Sequence, residues 1–367
     1  IRLMGEYMRN LGAVALDFDD NHSVLSSRTK EISLGIDILN IIFKSRRLTH
    51  ALPICKDSCT ACQAPHLSRI VSAIKNAMPI QFVLPAFPGK SPNLSKVLGP
   101  SPDMAERLAL QSLDRLCQSI QEIYAPGAHI ILCSDGQVFS DIVGMREADV
   151  TRYKLEIDQM IHDLDLKSLS TFNLDELCYD QNYTQMRQEL MNQFGASRES
   201  LREKILRGSK SSSVSDDEEA HRMYCGITRF LVEDSIFPGQ EKSRSAIQRE
   251  CREKAYEMIR RSNAWSRLIA QRFPHAVRLS IHPQTCGSQK LGIRLIGTEV
   301  WITPWHGVAV KRDEDFILLK RSEAEALGAQ LIFSTQGLPS HFELLKNPSL
   351  NFRKKSRDIE CEMKNEI

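Results

Sequence analysis

The chain has 367 residues, 42% of them hydrophobic and 26% charged, a balance that excludes general disorder and supplies the apolar side chains for a substantial core. Lys and Arg number 48 against 46 for Asp and Glu, a formal net charge of +2; no general field draws nucleic acid or an anionic membrane, and any cationic function has to be local. One large domain with an appendage, or two domains, is expected, because single cores stop growing at about 250–300 residues.

In chain order, residues 1–30 are polar and irregular around Asp17 to Ser27 and read as a flexible N-terminal extension, with the folded domain spanning 31–345. Leu67, Ile70, Val71, Ile74 and Met78 recur at helical spacing, and Ile80 to Leu84 reads as a short buried strand. After a Pro/Gly-rich loop, Ser101-Pro102 with Asp103 and Glu106 marks a helix start reaching about Ile123. Ala125-Pro126-Gly127 stops it, and His129 to Cys133 forms a second buried strand that ends at Ser134-Asp135-Gly136. Polar loops just past buried strands are where open α/β sheets hold ligands.

The stretch from Glu147 to Arg207 is expected to be helical, part of a cap or subdomain over about 147–272 with an exposed loop at 208–219, where serines give way to acids. A long helix from Glu241 to Gln271 precedes strands at Ala276 to Ile281, Leu291 to Ile296, Gly307 to Val310, Phe316 to Leu319 and Gln330 to Ser334, with a helix from Arg321 to Leu327 among them. Residues 346–367 read as a polar tail. No apolar run approaches a membrane span, and Ile1 to Asn10 lack the order of a signal peptide, so a soluble cytoplasmic protein without membrane or nucleic-acid partners is expected. The ten cysteines are scattered, Cys117, Cys133 and Cys225 among them, and read as reduced thiols in apolar segments.

Four constellations can carry chemistry. Gly89, Lys90, Ser91 and Asn93 in a proline-stiffened loop suit an anionic or polyhydroxyl ligand, or form a rigid turn with a solvated lysine. Asp135 and Asp141 across a Gly can supply a general base and an orienting group, although Asp-Gly is also a common hairpin turn. Alternation puts Arg278, Ser280 and His282 on one strand face, with Lys290 and His306 extending the polar group; Arg with Lys matches a phosphate, and an exposed edge strand is the alternative. Arg229, between apolar residues, needs an anionic partner if buried, either a ligand or an ordinary ion pair. Separately, Cys55, Cys59, Cys62 and His66 have ligand types and spacing for zinc. The same cysteine spacing is similar to that of radical S-adenosylmethionine enzymes, but Ala61 stands where that family usually has an aromatic.

Phe87-Pro88-Gly89-Lys90-Ser91-Pro92-Asn93, Pro102-Asp103-Met104-Ala105-Glu106, Tyr124-x-Pro126-Gly127-Ala128, Ser134-Asp135-Gly136-x-Val138-Phe139-x-Asp141, Arg278-Leu279-Ser280-Ile281-His282 and Thr303-Pro304-Trp305-His306 occur in order over about residues 55 to 340. Together they resemble the pyoverdine/dityrosine biosynthesis family, which includes isocyanide synthases and fungal spore-wall enzymes. The resemblance implies a Rossmann-like α/β fold, a mixed sheet flanked by helices, and condensation of an α-amino acid with ribulose 5-phosphate to an isocyanide. No cofactor and no metal are implied, and a downstream tailoring oxygenase is an implied partner. An N-formyl product, or a non-catalytic binding protein, is the alternative outcome. In this frame Arg278, Lys290 and Arg229 would bind phosphate or carboxylate, and Lys90, Ser91 and Asn93 the sugar, with Ser280 beside them. Asp135, Asp141 and His282 would move protons with His306 in support.

Overall fold

A helix from Asn21 to Phe43 (α1) opens the computed structural model, which describes residues 21–48, 55, 59–177, 180–210, 216–296 and 302–344. This helix starts inside the stretch expected to be irregular up to residue 30. Ile38, Leu39, Ile42 and Phe43 bury its C-terminal half in the core, and a helix so anchored propagates cheaply through the polar residues before it. There follow α2 (Thr60–Lys75), β1 (Ile80–Leu84), α3 (Met104–Gln121), β2 (Ala128–Cys133), α4 (Gly136–Val143), α5 (Glu147–Asp163) and β3 (Leu169–Phe172). Next come α6 (Tyr183–Phe194), α7 (Arg198–Gly208), α8 (Asp216–Ser235), α9 (Arg244–Arg272), β4 (Val277–Ser280) and β5 (Leu291–Gly292). The chain continues through β6 (Val308–Arg312), β7 (Asp315–Leu319), α10 (Arg321–Ala326), β8 (Gln330–Phe333) and β9 (Pro339–Glu343).

Five parallel strands form the main sheet in the order β3-β2-β1-β4-β5. Alternation along the strands divides the core in two. Ile80, Phe82 and Leu84 of β1, with Ile130 and Leu132 of β2, face a layer that includes Ile38, Ile70, Leu110 and Tyr153. Val83, Ile131 and Cys133 face the other way, against Phe139, Leu190, Leu231 and Trp265. Helices α1, α2, α3 and α5 therefore cover one face, and α4, α6, α8 and α9 the other. The fold is α/β with helices on both faces. A second, four-stranded sheet in the order β7-β6-β9-β8 mixes parallel and antiparallel pairs and packs Ala309 and Leu318 against Ala105 at the start of α3.

Several expected elements differ. β3 lies within the stretch read as helical; it is four residues long, with only Leu169 and Phe172 buried, too short for a period to register. The strand expected over Leu291 to Ile296 stops at Gly292, because Ile293 turns to bridge Arg46. α8 begins at Asp216, inside the loop expected at 208–219, of which residues 211–215 lie outside the described residues. Residues 1–20 and the polar tail at 346–367 lie outside them too. Cys225 is exposed on α8, not in an apolar interior. Among the described residues no helix is long and apolar enough to cross a membrane.

Candidate active site

The crossover from β1 to β2 runs through α3 on one face, and the long return from β3 to β4 runs through helices on the other. The winding therefore reverses between β1 and β4, and a crevice opens beyond their C-terminal ends. The loops after β1, β2 and β4 meet there. Gly136 makes the first meeting possible, since a Cβ on it would lie 1.8 Å from the Pro88 carbonyl oxygen. Ser134 Oγ donates to the Phe87 carbonyl at 2.9 Å, and the Ser91 amide donates to the Trp305 carbonyl at 2.9 Å. With Phe87 packed on Trp305 at 5.3 Å, the 303–306 segment is drawn to the same edge.

The three residues expected to hold the sugar have their polar groups engaged within the scaffold. Asp103 caps α3, accepting from the Ala105 amide at 2.8 Å, while Glu106 reaches back to the Asp103 amide at 3.0 Å. The buried Lys90 ammonium lies 2.8 Å from each of these carboxylates and donates to the Pro304 carbonyl at 3.0 Å. Its three donors are thereby used. Ser91 Oγ donates to Asp234 Oδ2 at 3.2 Å, and Asn93 Nδ2 donates to the carbonyls of Asp234 and Ile236 at 3.2 and 3.0 Å, so this loop clasps the end of α8.

Asp141 is likewise committed. Arg261 grips both its oxygens at 2.7 and 3.0 Å, and Arg187 approaches to 3.5 Å. Burial would raise its pKa, but the hydrogen bonds and charge of Arg261 outweigh that and hold it below the usual value. It ties α4 to α9. The Asp-Gly turn reading also gives way, because Asp135 is the N-cap position of α4. Arg229 is exposed on α8 and makes no ion pair among the described residues. Ser280 is buried and accepts from the His282 amide at 3.1 Å, shaping the loop after β4.

The remaining candidates form one basic recess. Arg278 follows the expected alternation, with Val277 and Leu279 in the core and its guanidinium turned to Ser266 of α9. Its pKa is lowered by burial and then by Arg69. Lys290 is lowered by burial and then by Arg278, with only Glu219 of α8 opposing. His282 is exposed to solvent yet crowded by protein, as a residue lining a recess is. Desolvation, then Lys290 and Arg47, push it down to about 4. His306 stands edge-on to Phe230 of α8 at 4.9 Å and is pushed down to about 4 by desolvation, against the pull of Asp234 and with a contribution from His282.

Asp135 has no ion-pair partner among the described residues, and desolvation pushes it up to about 7. Its charge and that of Arg278 both reach the Cys133 thiol. Helix α8 spans this edge, with Glu219 near Lys290 and Asp234 ion-paired to Lys96 at 2.6 Å. Arg47, Arg69 and Asp234 were not singled out from sequence. The Arg46-Arg47 pair after α1 was a signal for the first; an arginine on an amphipathic helix gave none for the second.

A cavity of about 320 Å³ lies between the 89–94 loop and the α4–α5 junction at Gly144 to Val150. Beside a separate small pocket that Cys62 lines together with Lys290, four sulfurs, those of Cys55, Cys59, Cys62 and Cys286, lie within 4.8 Å of one another. His66, expected from spacing as a ligand, stands outside that group, and Cys286 takes its place.

Ionisable groups gathered at the switch point of a doubly wound α/β sheet mark the place where such folds hold their ligands. Comparison with known proteins makes this specific. The pyoverdine/dityrosine biosynthesis protein family matches residues 70–332, and the chain belongs to it. It is 42% identical over 322 residues to the L-tryptophan isonitrile synthase AmbI2 of Fischerella ambigua, covering 87% of this chain and 94% of that one. To the L-tyrosine isonitrile synthase of Pseudomonas aeruginosa it is 45% identical over 283 residues, 76% of this chain and 83% of that one. The crystal structure of the PvcA protein from Pseudomonas aeruginosa superposes with a TM-score of 0.78 at 42% identity, covering 85% of this chain and 100% of that one. The protein is an enzyme of the isonitrile synthase kind.

Proposed function

We propose that the protein condenses the amine of an aromatic α-amino acid with C2 of ribulose 5-phosphate and leaves that carbon on nitrogen as an isocyanide. The observation that carries the reading is the crowding of like charge: burial and Arg69 lower Arg278, burial and Arg278 lower Lys290, and neither has a carboxylate at ion-pair distance among the described residues. A phosphate supplies the missing anion, with Arg as a planar donor and Lys as a point charge. Arg69 and Arg47 add positive charge for the amino acid's carboxylate. The names of the relatives, acting on L-tryptophan and L-tyrosine, support an aromatic substrate.

The amine adds to the C2 ketone and loses water to give an imine, after which proton abstractions, elimination of phosphate and cleavage of the C1–C2 and C2–C3 bonds release the other sugar carbons and leave C2 on nitrogen. Each abstraction needs a base near neutrality. Asp135, at about 7, exchanges a proton readily there. His282 is held neutral and would serve as a second proton-transfer group, with His306 behind it. Helix α8 across the edge restricts water that would return the imine to ketone. The test is incubation with L-tryptophan or L-tyrosine and ribulose 5-phosphate carrying ¹³C at C2, read by mass spectrometry. One heavy carbon in the isocyanide, or in the formamide one water heavier, is expected. An unlabelled product, or none with either amino acid, overturns the assignment.

A further inference from the structure

We propose that Cys55, Cys59, Cys62 and Cys286 bind one Zn²⁺ in a closed tetrahedral site that fastens the loop carrying His282 and Lys290 to the start of α2. The Sγ atoms of Cys55 and Cys62 are 3.4 Å apart, those of Cys62 and Cys286 3.4 Å, and those of Cys59 and Cys286 3.6 Å. All four lie within 4.8 Å of one another. A zinc ion about 2.3 Å from each of four thiolates sets them roughly 3.8 Å apart, and the three separations above lie within a few tenths of an ångström of that spacing.

The competing explanations fit less well. A disulfide needs about 2.05 Å between sulfurs and joins two of them, not four. Thiols are weak donors and weak acceptors, so a knot of four, with Cys55 and Cys62 buried and Cys59 and Cys286 partly so, satisfies none of them well. An iron–sulfur cluster interposes iron and sulfide between its cysteines and spreads them beyond 4.8 Å. Four sulfur ligands converging on one point select a single thiophilic ion, and with every position filled by protein the site is structural.

The local fold also suits thiolates. Cys59 is the N-cap of α2 and Cys62 lies in its first turn, where the helix dipole favours negative charge. Cys286 arrives from 224 residues beyond Cys62 in sequence, and Gly287 at φ +79° turns the chain away behind it. His282 lies four residues before Cys286 and Lys290 four after it. The ion would thus hold both ends of the recess loop, which is otherwise pinned by the Gln284 amide donating to the Arg47 carbonyl at 3.2 Å.

Elemental analysis of protein purified under reducing conditions without chelator tests this directly. One zinc per chain is expected, falling to about a tenth or less in Cys62→Ala and Cys286→Ala and unchanged in Cys225→Ala, whose thiol is exposed on α8. Because either ligand variant can fail to fold, cobalt exchange into the wild-type protein is the second arm. The intense thiolate-to-cobalt absorption of a tetrahedral four-sulfur site is expected there. Zinc-free protein that takes up no zinc when it is supplied, iron at one per chain, or full zinc in folded Cys286→Ala would each overturn the proposal. None of these readouts depends on the substrates proposed above.

Discussion

Lys90 and Lys290 both sit in the loops at the mouth of the main sheet, and their surroundings differ in sign. Lys90 lies 2.8 Å from both Asp103 and Glu106, and although burial opposes it, the two carboxylates raise its pKa. Lys290 is lowered by burial and then by Arg278. The acids divide in the same way: Asp141 is gripped by Arg261, whereas Asp135 has burial and no cation. A buried charge supplied with its partner has been spent on the fold, since breaking such a pair costs several kcal/mol. A charge crowded by its own sign, or left without a partner, is complementary to something that has yet to arrive.

The sharpest way to break this comparison is Asp135→Asn. As the proton acceptor in the recess, Asp135 should contribute about 10²–10⁴-fold to kcat, and wild-type kcat/KM should rise with pH through about 7 while the variant loses that limb. Stability gives an independent reading. The folded pKa lies above the ordinary 3.8, so the native state holds the proton more tightly and this contribution is lost as pH rises from about 4 through about 7. In urea titrations Asp135→Asn should therefore gain on wild type at pH 8 relative to pH 4. Next in size is Lys90→Met, which strands two buried carboxylates and should cost about 3–5 kcal/mol of unfolding free energy. If Lys90 instead held the sugar, the variant would keep its denaturation midpoint and lose substrate affinity.

The parts of this molecule that were legible in sequence are those set by local pattern. β1 and β2 announced themselves as short apolar runs between turn signals, and Asp103 with Glu106 marked the start of α3. What those two acids also do, holding Lys90, is tertiary and has no spacing to betray it. The same applies to Asp141, whose partner Arg261 is 120 residues away, and to Cys286, whose company is 224 residues upstream. Arg278 was legible because strand alternation set it opposite Val277 and Leu279, which enter the core; His282 falls past the end of β4, and Lys290 and His306 come from other segments with no shared period. β3 and β9 escaped because edge or near-edge strands of four or five residues carry too little period.

Arg278→Ala tests the recess from the phosphate side. Losing a charge-assisted hydrogen bond of about 1.5–3 kcal/mol should lower kcat/KM for the sugar phosphate roughly 10–100-fold, mostly through KM. The KM for the amino acid should move little; an equal change in both would mean that the guanidinium serves the carboxylate instead.

The smallest effect tests the other half of the comparison. Asp141 lies six residues after Asp135 in the same segment, and by position alone it ranks with it. Its side chain is 42% exposed and paired with arginines from α6 and α9. Water screens the exposed carboxylate, and each arginine keeps a second acid when Asp141 is lost, Glu147 for Arg187 and Glu257 for Arg261, so the contribution is about 1 kcal/mol at most. Asp141→Asn should therefore lower unfolding free energy by about 1 kcal/mol or less and leave the kcat/KM for both substrates near wild type. A loss of activity on the scale of Asp135→Asn, with the midpoint unmoved, would show that a carboxylate already paired can still carry the chemistry, and the distinction between spent and waiting charges would not hold for this site.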